Sequence, residues 1–395
     1  MPNPPASVAA RKALAVDVAA CRNMLRGNSK TFFVASLLLP KSVREPASAL
    51  YAFCRMADDA VDLDTVATKD SKAKQVAILQ ERLERVYAER PFNDAPDRAF
   101  SRVVAQYQIP RAIPDALIEG FAWDADERRY QTVGCLTEYA ARVAGTVGAM
   151  MAILMRTREA SAVARACDLG VAMQLSNIAR DIGEDARAGR IYLPLDWVRE
   201  EGIDVEAWLA KPVHSPALGR VVKRLLDEAS MLYSRVADGV AVLPKSCQPG
   251  INAARFLYEE IGREVERANL DSVSQRAVVP ASVKAKILAK AVMTTSEQSM
   301  ASQPALAACQ FLVDACAQNK PQLLTPASIS TTYLTPTAVN QNAALPSESE
   351  WWNIESRMVW LIAFLSRMEE RDRAAKALAN ALANQSANRD LHQQR

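Results

Sequence analysis

Apolar residues recur every three to four positions along most of this chain, the period of helices with one buried face. No stretch alternates in the manner of a half-buried strand, and no internal repeat is evident. The spacing predicts a helix from about Asp17 to Leu39, stopped by Pro40, and another from about Ser42 to Leu63. In the second, Ser42 and Glu45 have capping-box spacing and Pro46 falls in the first turn. Its buried stripe would be Val43, Ala47, Leu50, Cys54, Ala57 and Val61. Further helices are expected over roughly 72–90, 97–107, 113–131, 136–157, 159–186, 216–242 and 250–271, punctuated by Pro110, Pro114, Pro194, Pro244 and Pro249.

The pattern lapses from about 317 to 350, where Pro321, Pro326, Pro336 and Pro346 stand among small polar residues and read as a linker. It returns at Trp351, with Ile354, Met358, Leu361, Leu365 and Met368 at helical spacing. That helix, 351–385, either lies on a membrane surface or docks on protein, and its mixed charges make no basic face. The expected layout is all-α and single-domain. It has an N-terminal extension (1–20), a catalytic body (21–300), the linker (317–350) and the C-terminal helix.

Composition narrows the chemistry. The 395 residues are 50% apolar with a net charge of +3, which suits a folded chain and supplies no basic excess for nucleic acid. Two histidines leave little for a His-based triad or a zinc site. Seven scattered cysteines without a Cys-x-x-Cys read as reduced core thiols of a cytoplasmic protein. The longest nearly unbroken apolar run, Val143–Met155, is shorter than the ~20 residues a bilayer span needs.

Carboxylates on otherwise apolar helix faces are the sharpest feature. Asp58 and Asp62 are four apart, so on a helix they share a face about 6 Å apart, with Arg55, Tyr51 and Ser48 on the same stripe. A second stripe carries Gln174, Asn177, Asp181 and Asp185, flanked by Arg180 and Glu184 and followed by Arg187 and Arg190. One such pair is ordinarily a solvated helix face. Two, each emerging from a core helix and each beside arginine, point to a cleft of hard oxygen ligands suited to Mg²⁺ or Mn²⁺. Mg²⁺ favours a few carboxylates plus substrate phosphate, and Arg55, Arg180 and Arg190 suit a diphosphate.

The strings YAFCRMADDAVD, YAARVAGTVGAM and NIARDIGEDARAGRIYLP, with Ser29-Lys-Thr-Phe32 and Leu37-Leu-Leu-Pro40 upstream, resemble the phytoene/squalene synthase family over about Cys21–Lys290. More narrowly, they resemble the bacterial phytoene synthases. The resemblance implies the all-α terpenoid (isoprenoid) synthase fold, two aspartate-rich helices facing across a cavity, and head-to-head joining of two prenyl diphosphates. It implies Mg²⁺ held by Asp58, Asp62, Asn177, Asp181 and Asp185. Ser29, Arg55, Gln174, Arg180, Arg190, Tyr258 and Arg276 would contact substrate, and Tyr51 and Tyr139 would stand near the reacting carbons. Tyr192 would share a lid-like segment with Arg190, and Val143, Gly145 and Gly148 would line the prenyl cavity. The plainer readings are buried tyrosines, close helix packing at the glycines, and a helix-end charge at Arg190.

Ser36 and Ser48 are small where an aromatic would shorten the cavity, so the expected substrate is geranylgeranyl diphosphate and the product phytoene, without NADPH, at the first committed step of carotenoid synthesis. A squalene or dehydrosqualene synthase using farnesyl diphosphate is the neighbouring reading, and a non-catalytic assembly protein of the same fold the one from another class. Expected partners beyond the substrate are a membrane surface and other carotenoid enzymes.

Overall fold

The structure is a computed structural model that describes residues 8–62, 69–295 and 303–318. Its α-helices are α1 (Val8–Asn28), α2 (Lys30–Ser36), α3 (Lys41–Asp62), α4 (Lys69–Tyr87), α5 (Ala95–Tyr107), α6 (Ala112–Ala125), α7 (Val133–Ala140), α8 (Thr146–Leu154), α9 (Ala160–Arg187), α10 (Leu195–Glu200), α11 (Val205–Ala210), α12 (Pro216–Ala241), α13 (Gln248–Arg267), α14 (Ala281–Met293) and α15 (Gln310–Gln318). No strand occurs among the described residues. Nor is any of their helices long and apolar enough to cross a membrane. The chain divides into two compact units. The described part of the second is Val279–Lys290, and the aspartate helices belong to the first.

The long α9 runs through the middle of the packing. From Ala162 to Leu175 nearly every residue is buried, as expected of a helix that is apolar all round, and α8, α12, α13 and α15 enclose it. Backbones come unusually close where α8 meets α9. A Cβ on Gly148 would lie 2.1 Å from the Ala166 carbonyl, and one on Gly170 would lie 2.2 Å from that of Ala144. Alongside, α3 packs on α1 and α5, where the Phe53 and Phe100 rings stack at 4.3 Å, a contact worth about 1 kcal/mol beyond its burial.

Several expected boundaries move, each for a local reason. The helix expected over Asp17–Leu39 breaks at Ser29, whose hydroxyl accepts the Phe32 N–H at 3.2 Å and caps α2. Pro40, not Ser42, begins α3, since its carbonyl accepts the N–H groups of Val43 and Arg44. Pro46 has no N–H for the Ser42 carbonyl four residues back, and the Tyr107 hydroxyl donates to that carbonyl instead at 3.1 Å. The helix expected over 136–157 contains a π-helical turn at Ala141–Gly145, inside YAARVAGTVGAM. Residues 8–20, expected as an extension, form half of α1, and the buried Asp17 is gripped by Arg98 (2.5 Å) and Arg102 (2.7 Å).

At the other end, packing continues past residue 300. Arg165 donates to the carbonyls of Gln303 (3.2 Å) and Pro304 (3.0 Å), and it pairs with the buried Asp168 at 2.8 Å. Arg235 reaches the same aspartate and the same proline carbonyl. Leu312 and Cys316 of α15 are then fully buried. The seven cysteines are free thiols. Beyond Gln318, the expected linker and the helix 351–385 lie outside the described residues.

Candidate active site

The polar stripe of α9 is where its burial breaks. Gln174, Asn177, Arg180, Asp181 and Asp185 are half-buried while Leu175, Ile178, Ala179 and Ile182 between them are buried. Asp181 is held from two sides, by Arg180 (Nε 2.7 Å, Nη2 2.5 Å) and by Arg276 (Nε 2.7 Å, Nη2 3.3 Å). Burial works to raise its pKa, but the hydrogen bonds from Arg180 and Arg276 win and hold it below the usual carboxylate range. Arg276 also lies 3.4 Å from Glu184, which flanks the stripe.

Arg276 arrives there because of Gly183, inside the motif. The Gly183 N–H donates to the Ser272 carbonyl at 2.9 Å, and a Cβ on Gly183 would sit 2.3 Å from the Val273 carbonyl. Only glycine lets the loop 271–276 lie directly on α9. That loop is braced by Asp271, whose carboxylate accepts the N–H groups of Val273 (3.1 Å) and Ser274 (2.9 Å).

On α3, Arg55 is paired with Asp58 at 3.1 Å and with Asp59, one turn along the same helix. Desolvation pulls the Arg55 pKa down, but Asp58 and Asp59 outweigh it and raise it. Asp62 closes α3, and its side chain lies outside the described residues. Tyr51, one turn before Arg55, has its pKa pushed up to about 12, by burial first and then by the acids beside it against the pull of Arg55.

Phe32 links the first aspartate helix to α13. Its ring meets Tyr51 of α3 edge-on at 6.3 Å and Tyr258 of α13 at 5.0 Å. Tyr258 is buried, feels Arg180, Tyr51 and Asp181, and lies within hydrogen-bonding reach of the Asn177 side chain. Tyr51, Asn177, Arg180, Asp181, Tyr258 and Arg276 thus gather in one place.

Two expectations change. Tyr139 stands in a different cluster, where its hydroxyl donates to Asp124 at 2.9 Å and its ring stacks on Tyr192 at 5.3 Å. Val143, Gly145 and Gly148 serve packing. Val143 fills the space beside Gly120, Gly145 meets Leu312 and Cys309, and Gly148 meets the Ala166 carbonyl. The Ser29 hydroxyl oxygen accepts its helix-cap bond, which leaves its O–H as the donor it could offer a substrate. Ser36 and Ser48 are buried, and their hydroxyls turn back to the carbonyls of Phe33 (2.7 Å) and Arg44 (2.8 Å), which leaves little that is polar to offer a prenyl chain.

The oxygens here suit a hard cation. The Asn177 Oδ1 is buried without a hydrogen-bond partner on the stripe that carries Asp181 and Asp185. Arginines now occupy Asp58 and Asp181, and no three acidic, His or Cys side chains converge on a cage among the described residues.

Asp124 escaped the sequence reading. The signal was available: it lies on the stripe Ile113, Leu117, Gly120 and Phe121 of α6, an acid on a buried face, as at Asp58.

The squalene/phytoene synthase family model matches residues 25–283. The chain is 51% identical over 284 residues to a phytoene synthase of Rhodobacter capsulatus, an alignment covering 72% of this chain and 83% of that protein. It is 53% identical over 266 residues to a phytoene synthase of Cereibacter sphaeroides, covering 66% and 75%. Among solved structures, a dehydrosqualene synthase in complex with ligand aligns with a TM-score of 0.63 at 30% identity, over 71% of this chain and 96% of that one. Matching motifs, all-helical packing and sequence identity agree: the chain belongs to the squalene/phytoene synthase family.

Proposed function

We propose that this chain is a phytoene synthase, a prenyltransferase that joins two molecules of geranylgeranyl diphosphate head to head, through a cyclopropylcarbinyl diphosphate, to phytoene. The observation that carries this is identity above half to two phytoene synthases, with both motif helices retained.

The first demand is departure of a diphosphate from an allylic carbon. Arg55, Arg180, Arg190 and Arg276 are the cations available to the leaving group, and Arg55, Arg180 and Arg276 are paired with motif acids. Asp58, Asp62, Asn177, Asp181 and Asp185 would hold Mg²⁺, which when bound supplies positive charge to the departing diphosphate. Gln174 lies on the same polar stripe, one turn before Asn177.

The second demand is protection of allylic cations from water. Phe32, Tyr51 and Tyr258 make an aromatic wall at the edge of the acid site. Burial, ahead of any neighbouring charge, raises the Tyr51 and Tyr258 pKa values, so both stay neutral phenols beside a developing cation.

The deciding experiment incubates the purified chain with geranylgeranyl diphosphate and Mg²⁺ and identifies the hydrocarbon, with farnesyl diphosphate and NADPH in parallel arms. Phytoene from the twenty-carbon substrate supports the reading. A thirty-carbon product made in preference sinks it. The membrane contact of 351–385 rests on sequence pattern and is tested by liposome co-sedimentation of a chain ending at residue 350.

A further inference from the structure

One carboxylate outside both motifs pins the segment that follows the second. The two oxygens of Asp124 are used separately: Oδ2 accepts the Tyr139 hydroxyl at 2.9 Å, and Oδ1 accepts the Tyr192 hydroxyl at 2.8 Å. Tyr130 packs against both rings, at 5.1 Å and 6.2 Å. Backbone bonds reinforce the arrangement, since Leu195 N–H donates to the Tyr130 carbonyl (2.9 Å) and Asp196 N–H to that of Gln131 (3.0 Å). At its start the same segment is tied to α9, where Arg190 N–H donates to the Asp185 carbonyl at 2.9 Å.

Residues 185–196 are therefore fixed at both ends and, through Tyr192, in the middle. Arg190 and Tyr192 line an open cleft together with Asp124 and Arg128. Burial, and then the Asp124 charge, hold both phenols far above the ordinary tyrosine range, so they remain donors at any working pH.

We propose that Asp124 is a positioning residue: through the Tyr192 hydroxyl it sets where Arg190 stands beside the second motif, and so the grip on substrate diphosphate. The proposal rests on the phytoene synthase reading for the identity of the substrate but not for its principal test.

That test measures binding of inorganic diphosphate with Mg²⁺ by calorimetry to the full chain and to Asp124→Asn, Tyr192→Phe and the double variant. Each single variant should weaken binding about tenfold, the usual effect of losing a group that orients a ligand-binding side chain. The double variant should be no weaker than the worse single, because both cut the same link. In steady state the KM for geranylgeranyl diphosphate should rise in parallel, with kcat changed less. Unchanged diphosphate affinity with a lowered melting temperature overturns the proposal, as do losses that multiply in the double variant. Failure of Tyr192→Phe to fold overturns it too, because removing one hydroxyl would then have exposed a purely structural role. If the wild-type chain binds diphosphate but makes no phytoene, the functional reading fails while the diphosphate result still decides the role of Asp124.

Discussion

The two aspartate helices carry similar residues on different foundations. On α3 the ion pairs stay within one helix, Arg55 reaching Asp58 and Asp59 one turn away, with Arg55 and Asp58 36% and 41% exposed. On α9, Asp181 is 19% exposed and joins two parts of the chain 95 residues apart, through Arg276 on a loop that Gly183 admits. A pair within one helix turn adjusts at little cost; Arg276, although 47% exposed, sits on a loop whose backbone is seated on α9, so that pair moves only if the loop moves. The first motif can therefore rearrange when a ligand arrives, while the second is the prebuilt half of the site.

Removing the central acid of each helix tests this most severely. Asp181→Asn leaves Arg180 and Arg276 aimed at a group that no longer carries charge, and turnover should fall on the order of 100- to 1000-fold with the fold intact. Asp58→Asn should cost less, because Asp59 remains within reach of Arg55. Steady-state assays on both, with melting curves as the control, decide the order, and equal losses would erase the contrast. Gly183→Ala comes next. Its methyl group would force the 271–276 loop off α9, so Asp181 should lose its Arg276 contact and activity should drop about tenfold, with a lowered melting temperature. An alanine variant with wild-type rate would show that the loop does not need to dock.

Much of this was legible beforehand, because periodicity and misplaced charge are local signals. The helices, both acid stripes and their arginines follow from spacing alone. Gly183 shows the limit. Its part depends on a loop 90 residues later in the sequence, and a lone glycine in a helix does not announce what lies against it. Tyr139 shows another. Spacing placed it on a helix, but only the fold reveals that Asp124 and Tyr192 take up its hydroxyl and ring. At Ser29 the warning was present, since Gly27-Asn28-Ser29 carries breaker and cap residues inside an apolar periodicity, and the cap prevailed. The expected end of the body near residue 300 failed because Arg165 and Arg235 recruit backbone carbonyls, which no side-chain pattern encodes.

Two smaller effects sharpen the same contrast. Arg276→Ala removes one of the two guanidiniums that hold the Asp181 pKa down against burial, so that pKa should rise. A carboxylate with a depressed folded pKa contributes stability above its unfolded value near 3.9, and the contribution is lost as pH falls through the folded pKa. In the variant that loss begins at higher pH. The acid limbs of both kcat/KM and thermal stability should therefore shift upward, and superimposable pH profiles would count against Arg276 as the partner that keeps Asp181 charged.

Arg55→Ala carries the smallest expected effect on stability. Its ion pairs are about one-third exposed and confined to one helix face, a setting in which such pairs contribute about 0–1 kcal/mol. Removing Arg55 also releases its guanidinium from partial burial, which opposes the loss. The melting temperature should stay within a few degrees of wild type and respond little to added salt, whereas Arg276→Ala should register in both. A large drop for Arg55→Ala would mean that the α3 pairs hold the helix end in place, and the first motif would then be as prebuilt as the second.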